Sequence, residues 1–246
     1  MTQNIYDNEA FFAGYSRLPR SIEGLEGMPE WPALRALLPA MAELRVVDLG
    51  CGFGWFCRWA AAEGAARILG LDVSERMLAR ARVETAPGAV TYRRADLEQL
   101  DLPAASFDLA YSALALHYIE DLEGLLAAVH RALVPGGRLV FSVEHPIYTA
   151  PRRPGWVESA GGGPGDGKVW PVDAYLDEGP RRTDWLAKGV IKQHRTIATY
   201  LNLLIRLGFA LTHLEEWGPT AAQIALHPHF AVERERPPFL LVAAVR

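Results

Sequence analysis

The run Val46-Val47-Asp48-Leu49-Gly50-Cys51-Gly52-Phe53-Gly54 constrains the fold more than any other part of this chain. An apolar strand over Arg45–Leu49 runs into a glycine-rich turn, and the turn opens a helix expected over Trp55–Ala62. Glycine allows a sharp bend and a close approach between backbone and ligand, because no Cβ stands in the way. The helix start adds unpaired N–H groups and a partial positive field, suited to a carboxylate or a phosphate.

The same alternation continues downstream. Arg67–Asp72 reads as a second strand, and Ser74 is placed to cap a helix over Glu75–Glu84. Val90–Arg94 and Phe107–Ser112 read as the third and fourth strands. A helix over Leu122–Ala132 is stopped by Pro135-Gly136-Gly137, and Arg138–Val143 is the fifth strand. Strands alternating with helices at this spacing predict a parallel sheet covered on both faces. Before this core, residues 1–42 hold short helices over Glu9–Tyr15 and Pro32–Leu38. After it, residues 146–196 lose periodicity and are rich in Pro, Gly and Trp, the signature of a lid, a binding loop or a disordered segment. Residues 197–246 return to pattern, with a helix over Ile197–Leu207 and strands over Ala210–Trp217 and Phe239–Val245.

Three acidic or glycine elements fall at the C-terminal ends of successive strands, where ligands bind in open α/β sheets. Besides the glycine turn they are Asp72, placed to accept bonds from ribose hydroxyls, and Asp96, placed for an adenine amine. A dinucleotide fingerprint needs Gly-x-Gly-x-x-Gly. Here the third glycine comes one residue early, at Gly54, and Trp55 holds its place. That spacing favours a ligand ending in an amino acid over one containing a pyrophosphate.

Taken together, Val46–Gly54, Gly70–Leu78, Ala95–Leu97, Phe107–His117 and Leu133–Phe141 resemble the ordered motifs of class I S-adenosylmethionine methyltransferases of the small-molecule "type 11" kind. The resemblance covers residues 43–145 and implies a Rossmann-like, doubly wound, seven-stranded sheet, with Phe239–Val245 inserted antiparallel. It implies S-adenosylmethionine as cofactor and S-adenosylhomocysteine as product. Gly50 and Gly52 would line its methionine end and Asp48 its ammonium group. Asp72 would hold the ribose, Val73, Met77 and Leu97 would surround the adenine, and Asp96 would meet the adenine amine. Ser112 would sit beside the transferred methyl group. An N-terminal aromatic, Tyr6, Phe11 or Tyr15, would close the site. Cys51, next to the cofactor, is either a small packing residue or a nucleophile at a helix start.

Acceptor-side candidates come from the residues themselves. His145 follows strand five at the open edge of the sheet and is either a base or orienting group, or a structural histidine at a turn. Glu144 beside it reads as structural. In Lys192-Gln193-His194-Arg195-Thr196, alternation puts Lys192 and His194 opposite Arg195, giving a substrate-binding strand or a solvated edge. Arg17 and Tyr148 are further substrate candidates, with a surface ion pair the alternative for Arg17. Trp156, Trp170 and Trp185 wall a pocket or pack the lid. His117 is read as packing at a helix start. His227 and His229 lack a third ligand of suitable spacing, so no metal is expected.

A net charge of −4 gives no electrostatic reason to bind nucleic acid, so the expected partner is a small molecule. No apolar run reaches the roughly 18 residues of a membrane span. The two cysteines and the unsignal-like first residues point to the cytoplasm. Two other functions fit parts of the pattern: an NAD(P)-dependent oxidoreductase, and a non-catalytic S-adenosylmethionine sensor.

Overall fold

The computed structural model describes residues 3–158 and 167–246. The run Gly161–Gly165 lies outside the described residues. Three short helices, α1 (Glu9–Tyr15), α2 (Pro19–Ile22) and α3 (Trp31–Leu37), precede the sheet. The core then runs β1 (Arg45–Leu49), α4 (Trp55–Ala62), β2 (Arg67–Asp72), α5 (Glu75–Glu84), β3 (Val90–Arg94), β4 (Phe107–Ala113), α6 (Leu122–Ala132) and β5 (Leu133–Glu144). After α7 (Pro146–Thr149) come two small ladders, β6 (Val157–Glu158) with β7 (Lys168–Val169), and β8 (Gly179–Thr183) with β9 (Val190–His194). The chain closes through α8 (Ile197–Arg206), β10 (Ala210–Trp217), α9 (Ala221–Leu226) and β11 (Phe239–Val245).

The seven-stranded sheet has the order β10-β11-β5-β4-β1-β2-β3. Neighbours among the first five strands pair parallel, and β11 runs antiparallel to both β5 and β10. Residues alternate between two apolar layers, as a pleated strand dictates. Val47, Leu49, Ala110, Leu139 and Phe141 meet α6 and α8 on one face. Val46, Ile68, Leu109, Tyr111 and Val140 meet α3 and α4 on the other. Helix α6 supplies Leu122, Leu125, Leu126 and Val129, the i, i+3, i+4, i+7 stripe of a half-buried helix.

The boundaries differ from expectation in two informative places. Pro135-Gly136-Gly137 does not separate α6 from β5 but lies inside the strand. Phe107 pairs with Leu133 and Leu109 with Arg138, so the ladder absorbs the three residues as an irregularity. The end of β11 secures it, with Gly136 N–H donating to Arg246 O and Arg246 N–H to Gly137 O. The second difference is β9, which is no solvated edge: Lys192 is 3% and His194 0% exposed.

The glycine turn is held by Gly50 and Cys51 N–H groups donating to Leu71 O at 2.8 and 2.9 Å. Gly54 caps α4 with φ +75°, and a Cβ there would stand 2.1 Å from the Tyr92 hydroxyl oxygen. Gly54→Ala therefore combines left-handed backbone with a steric clash. It is expected to cost about 2–4 kcal/mol of stability, checked by denaturant unfolding. Among the described residues no helix is long and apolar enough to cross a membrane.

Candidate active site

A cavity of about 410 Å³ opens at the C-terminal ends of the parallel strands. Sheet order gives it two ends. Gly50, Gly52, Asp72, Val73, Met77 and Leu97 wall it toward β2 and β3. Toward β5, β11 and β10 the wall is Glu144, Tyr148, Trp217, Arg236 and Phe239. Ala113, Leu114 and Ala115, at the end of β4, form the middle. A recess of about 70 Å³ shares Gly50 and Gly52 with it and adds Asp48 and Cys51.

Asp72 Oδ2 accepts from Gly52 N and Oδ1 from Ser74 N, both at 2.9 Å, so its carboxylate organises the turn from the next strand. Burial pushes its pKa up to about 6 despite those bonds. Asp48 is 2% exposed, and its carboxylate is bonded to the Cys57 thiol at 3.3 Å. Burial pushes it up to about 7, and the Asp72 charge adds to the effect. Two desolvated carboxylates beside one glycine turn suit a cation or hydroxyl donors. Gly52, at φ +52°, has nothing within 4 Å of where a Cβ would stand, so its backbone faces open space.

The N-terminal segment covers this end. Asp7 Oδ1 accepts from Ser74 Oγ at 2.6 Å, and Gln3 bonds Gly189 O and Ile191 N in the second small ladder. Tyr6 packs edge-on against Phe11, Tyr15 and Tyr118 with centroids 4.8, 5.4 and 6.0 Å away. Tyr6 and Tyr15 reach the cavity; Phe11 is fully buried behind them.

At the other end Lys192 Nζ lies 2.5 Å from Glu144 Oε1. Burial opposes ionisation of Glu144, but Lys192 and His117 together hold its carboxyl below the usual value. Burial pushes His117 down to about 4, so its ring is neutral near pH 7. Its Nδ1 faces the Glu144 N–H at 3.4 Å, which leaves the proton on Nε2.

Several expected residues stand elsewhere. His145 caps α7, its Nδ1 accepting from Ile147 N at 3.0 Å while Nε2 meets Glu216 Oε1 at 2.9 Å. His194 Nε2 meets Tyr175 O and its Nδ1 meets Thr149 Oγ1, both at 2.9 Å. Both rings are consumed by structural bonds, and neither lines the cavity. Expected as catalytic candidates, His145 and His194 stand in this structure as residues that tie segments of the fold together. His145→Ala is accordingly expected to lower stability by about 1–2 kcal/mol and leave ligand affinity unchanged, a split that calorimetry and thermal melts would read separately.

Arg195 does not line the cavity either: Nη2 donates to Ile119 O and Glu120 O, both at 2.7 Å. Arg17 is exposed and off the cavity, whereas Arg20 lines it and pairs with Glu30 at 3.1 Å. Ser112 Oγ donates to Leu49 O at 2.7 Å, tying β4 to β1 instead of facing the cavity. Asp96 caps a single 3₁₀ turn over Leu97–Gln99 by accepting from Glu98 N, and Leu97 is the residue on the cavity wall. Burial raises the Cys51 thiol well above its usual pKa, which argues against a nucleophile. Tyr148 and Trp185 do line the cavity.

His117, Tyr118, Arg20, Glu144, Trp217, His229, Glu233 and Arg236 are wall residues that sequence reasoning did not single out as ligand-facing. Four of them lie in 217–238, the connection that must cross the ligand edge because β10 ends there and antiparallel β11 begins there. That topological rule was the available signal. Among the described residues, no three His, Cys, Asp or Glu side chains gather as a metal site.

Comparison with known proteins agrees with this architecture. The family described as "Methyltransferase domain" matches residues 47–141. A crystal structure of an S-adenosylmethionine dependent methyltransferase from Mesorhizobium loti is 61% identical, covers 91% of this chain and all of its own, and superposes with a TM-score of 0.86. An uncharacterized protein of Haemophilus influenzae is 33% identical over 98% of this chain and 96% of its own length. Malonyl-[acyl-carrier protein] O-methyltransferase of Enterobacter lignolyticus is 41% identical over 45% of this chain, which spans only 43% of that enzyme. The glycine turn, the seven-stranded order and near-full-length similarity place this chain in the S-adenosylmethionine-dependent methyltransferase family, and it is an enzyme of that family.

Proposed function

We propose that the cavity binds S-adenosylmethionine at its β1–β2 end and that the enzyme methylates a small molecule held at the β5–β11 end. The observation that carries this reading is the pair of buried, raised-pKa carboxylates, Asp48 and Asp72, at a glycine turn opening into a cavity. These residues fit the group. Asp48 and the turn formed by Gly50, Cys51 and Gly52 suit the ammonium and carboxylate of its methionine end. Asp72 suits the ribose hydroxyls, and Val73, Met77 and Leu97 offer an apolar slot for the adenine. Asp96 contributes through the 3₁₀ turn it caps. Tyr15 and Tyr6 cover the ligand from the N-terminal side.

When bound, the cofactor supplies a methyl group on a sulfonium, already activated for in-line displacement. The chain's own task is then to position the attacking atom and to exclude water. Tyr6, Tyr118 and Trp185 shield the centre of the cavity, and Tyr148 and Trp217 bound the acceptor chamber. His117 is neutral and protonated on Nε2, so it orients an acceptor by donating a hydrogen bond and is a poor proton acceptor.

Calorimetric titration with S-adenosylhomocysteine tests the reading directly, and a folded protein giving no heat would overturn it. Gly52→Ala sharpens the test. Its Cβ would meet no protein atom but would enter the space given to the cofactor, so affinity is expected to fall at least tenfold. Stability should drop by only the left-handed cost of about 1–2 kcal/mol. Gly54→Ala should show the opposite balance.

A further inference from the structure

Arg236 is an unusual residue in the acceptor chamber. It lines the cavity while being only 4% exposed. Three aromatic rings surround its guanidinium, with centroids 4.2 Å away at Trp170, 4.5 Å at Tyr148 and 5.0 Å at Trp156. The rings are themselves fixed. Tyr148 stacks on Trp170 at 5.2 Å, Trp156 packs on Trp170 at 5.3 Å, and Trp170 Nε1 donates to Ile147 O at 3.0 Å. Glu233 Oε2 approaches Nη1 at 2.8 Å, so one corner of the guanidinium has a counter-ion.

That contact is an ion pair without hydrogen-bond geometry: Nε and Nη1 are both buried and neither finds a hydrogen-bond acceptor. A guanidinium packed among rings keeps its donors in one plane, the arrangement that matches the two oxygens of a carboxylate. Leaving buried charged donors unmet is costly, and evolution rarely leaves such a group facing a cavity without a ligand for it. Beside Glu144 and His229, the chamber carries the rings of Tyr148, Trp185, Trp217, Phe230 and Phe239, which suit an apolar body.

We propose that Arg236 is the specificity residue of the acceptor site and that the acceptor is a small carboxylic acid with an apolar body, its carboxylate bound by the Arg236 guanidinium. This rests on the methyltransferase reading for the word acceptor, but not for the binding itself. Glu144 and Lys192, already paired at 2.5 Å, stay neutral as a unit beside the bound carboxylate.

The test uses the full-length protein with phenylacetate and its uncharged isostere phenylacetamide, titrated with and without saturating S-adenosylhomocysteine. The acid is expected to bind at least tenfold more tightly than the amide. Arg236→Gln should abolish that preference while leaving S-adenosylhomocysteine affinity within twofold, and Arg236→Lys should restore part of it. Equal binding of acid and amide by the wild type, or an unchanged preference in Arg236→Gln, overturns the proposal. Should Arg236→Gln fail to fold, Glu233→Gln decides: removing the internal competitor should tighten phenylacetate binding severalfold, and unchanged or weaker binding refutes the assignment. Loss of S-adenosylhomocysteine binding in the wild type would instead sink the cofactor reading, and the acid–amide comparison on cofactor-free protein would still judge Arg236.

Discussion

Asp72→Ala is expected to weaken S-adenosylhomocysteine binding at least 100-fold, about 2.7 kcal/mol, the largest single loss of affinity in this site. Each carboxylate oxygen can accept two hydrogen bonds, and Asp72 uses one on each for Gly52 N and Ser74 N. The acceptor capacity left over belongs to a residue on the cavity wall. Two ribose hydroxyls would fill that capacity with charge-assisted bonds, the strong kind. The alanine variant removes those bonds and also frees the Gly52 and Ser74 N–H groups, so the turn itself loosens. Asp72→Asn keeps one acceptor oxygen for the turn, turns an amide NH2 toward the other N–H donor and loses the charge, and its affinity should fall between wild type and alanine. Because Asp72 must be ionised to bind hydroxyls best, wild-type affinity should also decline as pH drops through about 6, and this slope should vanish in both variants. Alanine binding within threefold of wild type would remove Asp72 from the site.

How much of this was legible before the structure depends on whether the information is local. The strand, turn and helix at Arg45–Ala62 are fully specified by adjacent residues: apolar alternation, three glycines at positive φ and a helix start. The same holds for Ser74, whose hydroxyl accepts from Met77 N as a capping residue should. Side-chain direction is different. His145 and Glu144 both emerge at the open edge of the sheet, yet a strand turns neighbours to opposite sides, and it is Glu144 that reaches the cavity. The same one-residue question sends Ser112 to the Leu49 carbonyl and leaves Ala113 at the wall. Arg236 was invisible for a further reason. Its partners Tyr148, Trp156 and Trp170 lie 66 to 88 residues earlier in the chain, in a stretch without periodicity, and only the fold brings them together.

Asp48→Asn is expected to stabilise the ligand-free enzyme at pH 8 while crippling it. The carboxyl titrates near 7 in the folded protein because burial penalises its charge, whereas an unfolded aspartate titrates near 3.9. The folded state therefore binds more protons than the unfolded state between those values, and stability falls as pH rises from about 4 to about 7. Above 7 the whole cost is present, at most about 4 kcal/mol for a shift of about three units. Asparagine still accepts from the Cys57 thiol but carries no charge; its own buried amide donors return part of the gain, leaving about 1–3 kcal/mol. For a chain of this length that is a rise of roughly 3–10 °C in Tm at pH 8, shrinking toward zero by pH 5. Under the proposed function a ligand ammonium would do for Asp48 what protonation does, which would account for an aspartate that destabilises the empty enzyme. The variant should accordingly lose at least 30-fold in S-adenosylhomocysteine affinity, and the wild-type weakening of binding below pH 7 should flatten. A variant no more stable than wild type at pH 8, or one binding equally well, would show that the Asp48 carboxylate is neither stranded nor waiting for a cation.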